Sequence, residues 1–322
     1  MTSRWKRLGN PGGPAVRLPV LVLVCGVGLA CGASGTNDGP RAVVRVATAF
    51  APLSDRLVEE YRRTLPGLDI RTHPAADALG AIAEGTADLG ISTVDRVYDD
   101  YWRGNDGARP DSRLRAISLL HPLSAYVLVR PGSNIHEIAD LTGRVVGLGQ
   151  PNSSSWTLGT LAIDAAGARP SLVRSMASRP EATRALRDGS ADAIFFPGYI
   201  YPDEATYATI REGAYLIPID GPAVERLRRA HPFVRATTIP RNIYPGQDRV
   251  IPTIGLDMVV VCRRDLEESV VHDLAQALFD ALPRLVGVEA SLRFLDVERT
   301  PATPIPLHAG ASRYFRERGL SR

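Results

Sequence analysis

Residues 81–88, Ala81-Ile82-Ala83-Glu84-Gly85-Thr86-Ala87-Asp88, and residues 185–192, Ala185-Leu186-Arg187-Asp188-Gly189-Ser190-Ala191-Asp192, share one grammar. Each ends a helical run with an acid, a glycine, a small hydroxyl residue, Ala and Asp. The glycine suits the left-handed C-cap that terminates a helix. A short apolar run follows in both copies, residues 89–92 and residues 193–196, and reads as a strand. One helix–Gly–strand unit is common in any α/β protein. Two copies with the same acid-Gly-x-Ala-Asp ending, each closing a strand–helix–strand unit, predict two similar lobes.

Working outward, residues 43–47 read as a strand, and Leu53, Leu57, Val58, Tyr61 and Leu65 mark one face of a helix. A strand at 68–72, a helix at 75–83 and the strand at 89–92 complete a βαβαβ pattern, the signature of a parallel sheet flanked by helices. The second copy has a strand at 144–149, helices at 157–166 and 181–187, and the strand at 193–196. Between them, residues 123–130 form an extended apolar crossover, and a second apolar strand at 254–262 returns after the turn-rich Tyr244-Pro245-Gly246-Gln247-Asp248. Two crossings predict a discontinuous first lobe, 42–126 with 250–322, and a second lobe at 127–249. They also predict a two-strand hinge and a cleft able to close on a ligand. The amphipathic run at 266–282 is expected to pack on the first lobe.

Of 322 residues, 44% are hydrophobic and 23% charged, the balance of a globular chain with a sizeable core. The net charge of +3 comes from the first 31 residues, where Arg4, Lys6, Arg7 and Arg17 meet no acid. The body is therefore near neutral and has no basic run for nucleic acid. No lysine follows Lys6, which excludes Schiff-base chemistry and the P-loop mechanism. The basic start and the apolar run at 18–30 read as a signal peptide, too short to span a bilayer comfortably. Leu29-Ala30-Cys31-Gly32 resembles a bacterial lipoprotein cleavage site, with Gly28 where such sites carry Leu or Val. The expectation is a leader at 1–31, a lipid anchor on Cys31 and a flexible tether at 32–41, with plain secretion as the alternative.

Four strings carry a more specific likeness: Leu141-Thr142-Gly143-Arg144-Val145-Val146-Gly147-Leu148-Gly149; Asp188-Gly189-Ser190-Ala191-Asp192-Ala193; Tyr244-Pro245-Gly246-Gln247-Asp248; and Leu307-His308-Ala309-Gly310-Ala311-Ser312-Arg313-Tyr314-Phe315-Arg316-Glu317-Arg318-Gly319. Together they resemble TAXI-type solute-binding proteins, the extracytoplasmic subunits of some tripartite ATP-independent periplasmic (TRAP) transporters. The resemblance implies an α/β, two-lobed type II periplasmic binding protein fold: two parallel-core sheets flanked by helices, joined by a two-strand hinge. It also implies capture of a small anionic solute, a carboxylate such as glutamate or 2-oxoglutarate, and its delivery to a TRAP-type membrane permease. Two ligand loops depart from the family's pattern. Ala47-Thr48-Ala49-Phe50-Ala51-Pro52 replaces a glycine-rich loop, and Pro151-Asn152-Ser153-Ser154-Ser155-Trp156-Thr157 replaces Gly-Ser-Gly-Thr.

The expected ligand contacts lie where strands end. Asn152, Ser153, Ser154, Ser155 and Thr157 join a strand to a helix start, whose free N–H groups and positive dipole end suit a carboxylate, with one serine also capping the helix. Ser92 and Thr93 end the matching strand of the first lobe, with Asp95 as a helix cap or a contact. Gly198 and Tyr199 face them across the cleft, and Thr48 and Phe50 occupy the altered first loop. Replacing Ser153 and Ser155 by Ala is expected to weaken binding without unfolding the chain. His308 is expected to be structural. The six histidines show no metal-ligand spacing, so neither metal nor cofactor is expected. Gly147-Leu148-Gly149 has Asn152 where a dinucleotide fingerprint needs its third glycine. Cys262 ends the run Val259-Val260-Val261 and reads as core, and no serine sits in Gly-x-Ser-x-Gly. A non-enzymatic, monomeric binding protein is expected, with a membrane sensor as the alternative partner to a permease.

Overall fold

The computed structural model describes residues 41–50, 53–103, 113–198 and 204–320. The leader, the tether, Cys31 and Tyr199 lie outside the described residues. The first half of the fold starts with β1 (Ala42–Ala47), α1 (Leu53–Thr64), β2 (Leu68–His73), α2 (Ala78–Ala83), β3 (Leu89–Thr93) and α3 (Val94–Arg103). A long strand, β4 (Leu114–Val129), leads to β5 (Val145–Leu148), α4 (Ser154–Ala166), β6 (Leu172–Ser175), α5 (Arg179–Arg187) and β7 (Ala193–Gly198). Then come α6 (Glu204–Arg211), β8 (Tyr215–Leu216), α7 (Pro222–Ala230), β9 (Arg235–Ile239), a second long strand β10 (Ile251–Arg263), α8 (Glu268–Val288) and α9 (Ala309–Glu317).

The strands follow the order β2-β1-β3-β10-β4-β7-β5-β6. β1 is parallel to β2 and β3, and β5 is parallel to β6 and β7. A parallel 2-1-3 set thus occurs twice, and each set is bordered by one long antiparallel strand, β10 beside β3 and β4 beside β7. The two long strands pair with each other in the middle. Ser124 marks the handover, paired to Gly255 of β10 on one side and to Gly198 of β7 on the other. β4 begins well before the expected crossover at 123. His121-Pro122 broke the apolar pattern in the sequence, yet Pro122 sits opposite Asp257 beside a register shift, where a missing N–H is tolerated.

The repeated Asp explains the internal repeat. Asp88 N donates to Arg45 O, and its Oδ2 accepts from Arg45 N at 2.8 Å, so the residue pairs with β1 like one more strand residue. Asp192 does the same with Val145 of β5, its Oδ2 accepting from Val145 N at 2.9 Å. Each then takes an arginine from the end of the bordering long strand: Arg263 against Asp88 at 2.8 Å and Arg130 against Asp192 at 2.8 Å. Arg263 N and Arg130 N also donate to the carbonyls of the same two aspartates. One carboxylate thereby fastens a parallel strand to an antiparallel one at the same place in both halves. Burial alone would raise both pKa values. Hydrogen bonds and charge from Arg45, with the charge of Arg263, hold Asp88 below the usual carboxylate range, and the Val145 N–H and Arg130 do so for Asp192.

The C-terminal string is a docking segment. Leu307 bridges to Ala116 of β4, flanked by Ala116 N donating to Pro306 O and His308 N donating to Ala116 O. His308 is buried; its Nδ1 caps α9 by accepting from Gly310 N at 3.2 Å, and its Nε2 donates to Arg264 O at 3.0 Å. Burial lowers its pKa, which favours this neutral tautomer. A side chain at Gly310 would collide with the Glu268 carbonyl and the His272 nitrogen of α8, so glycine sets how closely α8 and α9 approach. α8 runs past the expected end at 282, through Pro283, to Val288. Cys262 is a buried free thiol on β10, and burial pushes its pKa up.

Two stability measurements follow from these contacts. Asp88→Ala leaves a buried backbone N–H of Arg45 without an acceptor and should cost about 1–3 kcal/mol in urea unfolding at pH 7. The two aspartates sit below their unfolded pKa of about 4, so their stabilisation is complete above that pH and is lost as the pH falls through the lowered folded values. The loss caused by Asp88→Ala should therefore shrink on acidification. Gly310→Ala should cost about 1–3 kcal/mol by overpacking; an unchanged unfolding midpoint would show that α9 does not hold its place on α8.

Candidate functional site

The β-strands of both halves point their carboxyl ends at one cavity of about 420 Å³. Its walls come from the loops after β1, β2 and β5, from the carboxyl ends of β3 and β7, from Arg96 of α3 and from Leu123 of β4, around the strand ends where open α/β sheets hold ligands. The loop after β5 is shaped by close approach. Asn152 adopts a left-handed φ of 67°, and Gly149 has no room for a side chain against Ser153 and Ser155. Ser153 caps α4, accepting from Trp156 N at 3.2 Å. The helix thus starts at Ser154, three residues before the sequence reading put it. Ser155 accepts from Gly149 N at 3.0 Å and donates to Phe195 O at 2.8 Å, stitching this loop to β7.

Three contacts cross the cavity between elements of the two halves. The hydroxyls of Thr93 and Ser154 lie 2.9 Å apart, and Ser154 Oγ donates to Asp95 Oδ1 at 3.1 Å. Arg96 Nη1 donates to the Asn152 carbonyl at 2.8 Å, while its Nη2 reaches Asp77 at 3.3 Å. Asp77 in turn caps α2 through Leu79 N. Asp95 lies inside the first turn of α3 rather than ahead of it, so it is a buried bridge and not the cap of that helix. Among the described residues its Oδ2 has no hydrogen-bond partner, and burial raises its pKa above the usual carboxylate range despite the hydroxyl donors around it.

Of the sequence-derived residues, Phe50, Ser92, Thr93, Asn152, Ser153, Ser154 and Ser155 line this one cavity. The Ser92 side chain makes no hydrogen bond among the described residues, which leaves its hydroxyl available. Thr48, Thr157 and Gly198 are not in the wall. Thr48 N pairs with His73 O, Thr157 N closes the first turn of α4 on Ser153 O, and Gly198 packs on the Tyr126 ring. Pro197 lines the cavity in place of Gly198. Arg96, Asp77 and Gln150 also line it and were missed. The signal for Arg96 was the spacing of Val94, Val97 and Tyr101, all buried, which marks α3 as a helix and puts Arg96 one turn beyond Thr93.

The cavity therefore offers one guanidinium, the capped start of α4, and hydroxyls from both halves. Twice-repeated parallel units, bordered by shared antiparallel strands and meeting at a single cavity, define a type II periplasmic binding protein fold. The chain belongs to the NMT1-like family, whose pattern matches residues 66–319. Similar solved structures include XAC2383 from Xanthomonas citri bound to chloride ion, at 16% identity, TM-score 0.50, covering 86% of this chain and 97% of that one. The same protein bound to ATP matches at 14% identity and TM-score 0.51, covering 87% and 97%. A TctC solute-binding protein from Polaromonas matches at 17% identity and TM-score 0.50, covering 79% and 87%. At these identities the likeness is one of fold. Among the described residues, no helix is long and apolar enough to cross a membrane.

Asp95 titrates with the opposite sign to Asp88 and Asp192. Above about pH 4 the unfolded chain releases a proton that the folded chain keeps, so this residue subtracts stability as the pH rises toward its raised folded value. Asp95→Asn should flatten the fall in melting temperature as the pH rises above about 4. An identical slope in the variant would mean that Asp95 is not held protonated.

Proposed function

We propose that the chain is an extracytoplasmic solute-binding protein that captures a small anionic, carboxylate-type solute between two lobes and presents it to a membrane transporter. The observation that carries this reading is the shared cavity, with Ser92, Ser153, Asn152 and Arg96 arranged around the start of α4. A carboxylate there would take charge-assisted hydrogen bonds from Arg96 and from hydroxyls, competing with the Asn152 carbonyl and Asp77 for the guanidinium. Thr93, Ser154 and Asp95 would form the latch that the halves share when closed. On this reading Ser155 supports the loop instead of touching solute, so the earlier Ser153/Ser155 double substitution would lower stability as well as affinity. The lobes are 42–126 with 250–322, and 127–249, hinged on β4 and β10.

The finer reading is a TAXI-type subunit serving a TRAP-type permease. Its support is the quoted C-terminal string, which the fold uses to dock α9 on β4 and α8. Export by the leader at 1–31, with anchoring through Cys31, and function as a monomer belong to the same proposal. No catalysis is assigned.

A thermal-shift screen of dicarboxylates, 2-oxo acids, amino acids and sulfonates tests it. A ligand at a hundredfold excess over Kd stabilises the native state by about 2.7 kcal/mol. For a solute found this way, Arg96→Ala should weaken binding about 10- to 100-fold, the loss of one charge-assisted hydrogen-bonding group. Unchanged affinity in that variant would remove the anion site from this cavity.

A further inference from the structure

A second cavity, of about 340 Å³, shares no lining residue with the first. It is built on Val94 of α3, Leu119 of β4 and Asp257 of β10, and is closed by the segment from α7 into β9 and by residues 299–304. Three arginines line it, Arg228, Arg235 and Arg299, against one carboxylate, Asp257. Asp257 is buried and engaged by two of them: Arg235 Nη1 donates to Oδ1, and Arg299 Nη2 stands 3.5 Å from Oδ2. Among the described residues, Arg228 pairs only with Glu225 on its own helix, at 3.1 Å.

The donor count exceeds the acceptors. Among the described residues, Arg235 Nε is buried without a partner on a side chain that is 24% exposed, and the Arg299 side chain makes no hydrogen bond beyond the long one to Asp257. Val94, Leu119, Val234 and Phe233 form the apolar part of the wall, with Phe233 stacked at a tilt on Tyr98 at 5.4 Å. Guanidinium forks match the planar oxygens of carboxylates and phosphates, and apolar walls strengthen such pairs. We infer that this cavity is a second anion-binding site, separate from the proposed solute site, for a compact polyanion carrying carboxylate or phosphate groups. Arg235 and Arg299, already converging on Asp257, would each present a free edge to it, with Arg228 closing from α7. Because its walls come from β9 and α7 on one side and from residues 299–304 on the other, a bound anion would tie those segments together.

Isothermal titration of the purified protein with citrate, inorganic phosphate and pyrophosphate tests the site. At least one probe should bind saturably and more weakly at high salt. That binding should fall at least about tenfold in the double variant Arg228→Gln/Arg299→Gln, and persist in Arg96→Ala. Arg228 and Arg299 are 39% and 46% exposed, so this double variant is expected to fold, and its melting temperature checks that. No saturable binding of any of the three probes overturns the proposal. So does binding lost in Arg96→Ala but kept in the double variant, which would assign the anion to the first cavity. The arginine double variant leaves the first cavity intact, so failure here and failure of the solute-site reading remain separable.

Discussion

The pairing of β4 with β10 is the constraint on which the rest depends. Each strand spends one end in each half, so neither half can complete its sheet alone. Eight paired positions, from Gly255 opposite Ser124 to Arg263 opposite Leu114, fix this register, and a one-residue slip would turn every side chain to the wrong face. With the register fixed, the two 2-1-3 units are held with the carboxyl ends of their parallel strands turned toward the same cavity. The loops that line it are otherwise unrelated in sequence. Their meeting is a product of topology, and the small polar residues at strand ends follow from the space it leaves.

Electrostatics sets Asp95 apart from the two aspartates that fasten the strands. Asp88 and Asp192 are surrounded by N–H groups and guanidinium, and the folded state favours their charge. Asp95 has hydroxyl neighbours and deep burial, and the folded state disfavours its charge. The first kind is scaffolding, placed where strands must be joined. The second lies between the halves, beside the cavity, where a cost in stability accompanies a place that the two halves share. Stability given up at a site of that sort is common where function needs groups arranged against their own preference.

Much of the fold was legible because the hydrophobic period and the glycine caps agree with it. The duplicated Glu84-Gly85 and Asp188-Gly189 endings predicted two similar halves, and their aspartates turn out to be the shared fastening. What was not legible depended on tertiary context. β4 was read as half its length because Pro122 and His121 break an apolar run, although a bulge accommodates the one and the sheet buries the other. α8 was stopped short at Pro283, which the helix absorbs. In the cavity, the serine run and the β3 end were identified from their position alone. Arg96 was missed because only the cap of α3, and not the faces of that helix, was read; Ser155 was named, but its role in holding the loop to β7 was not, because a hydroxyl's partners cannot be read from its neighbours in sequence.

Cys262 has a consequence of a different sort. It is the single cysteine of the body, fully enclosed between β3 and β4 on the strand that both halves share. A thiol reagent can reach it only when that strand parts from its neighbours, and in the closed fold burial raises its pKa and keeps it a thiol. The protein thus carries its own clock. With a reagent fast enough to outpace reclosing, the rate at which this sulfur reacts is the rate at which the central ladder comes apart, unconfused by the smaller movements of loops and lobes around it.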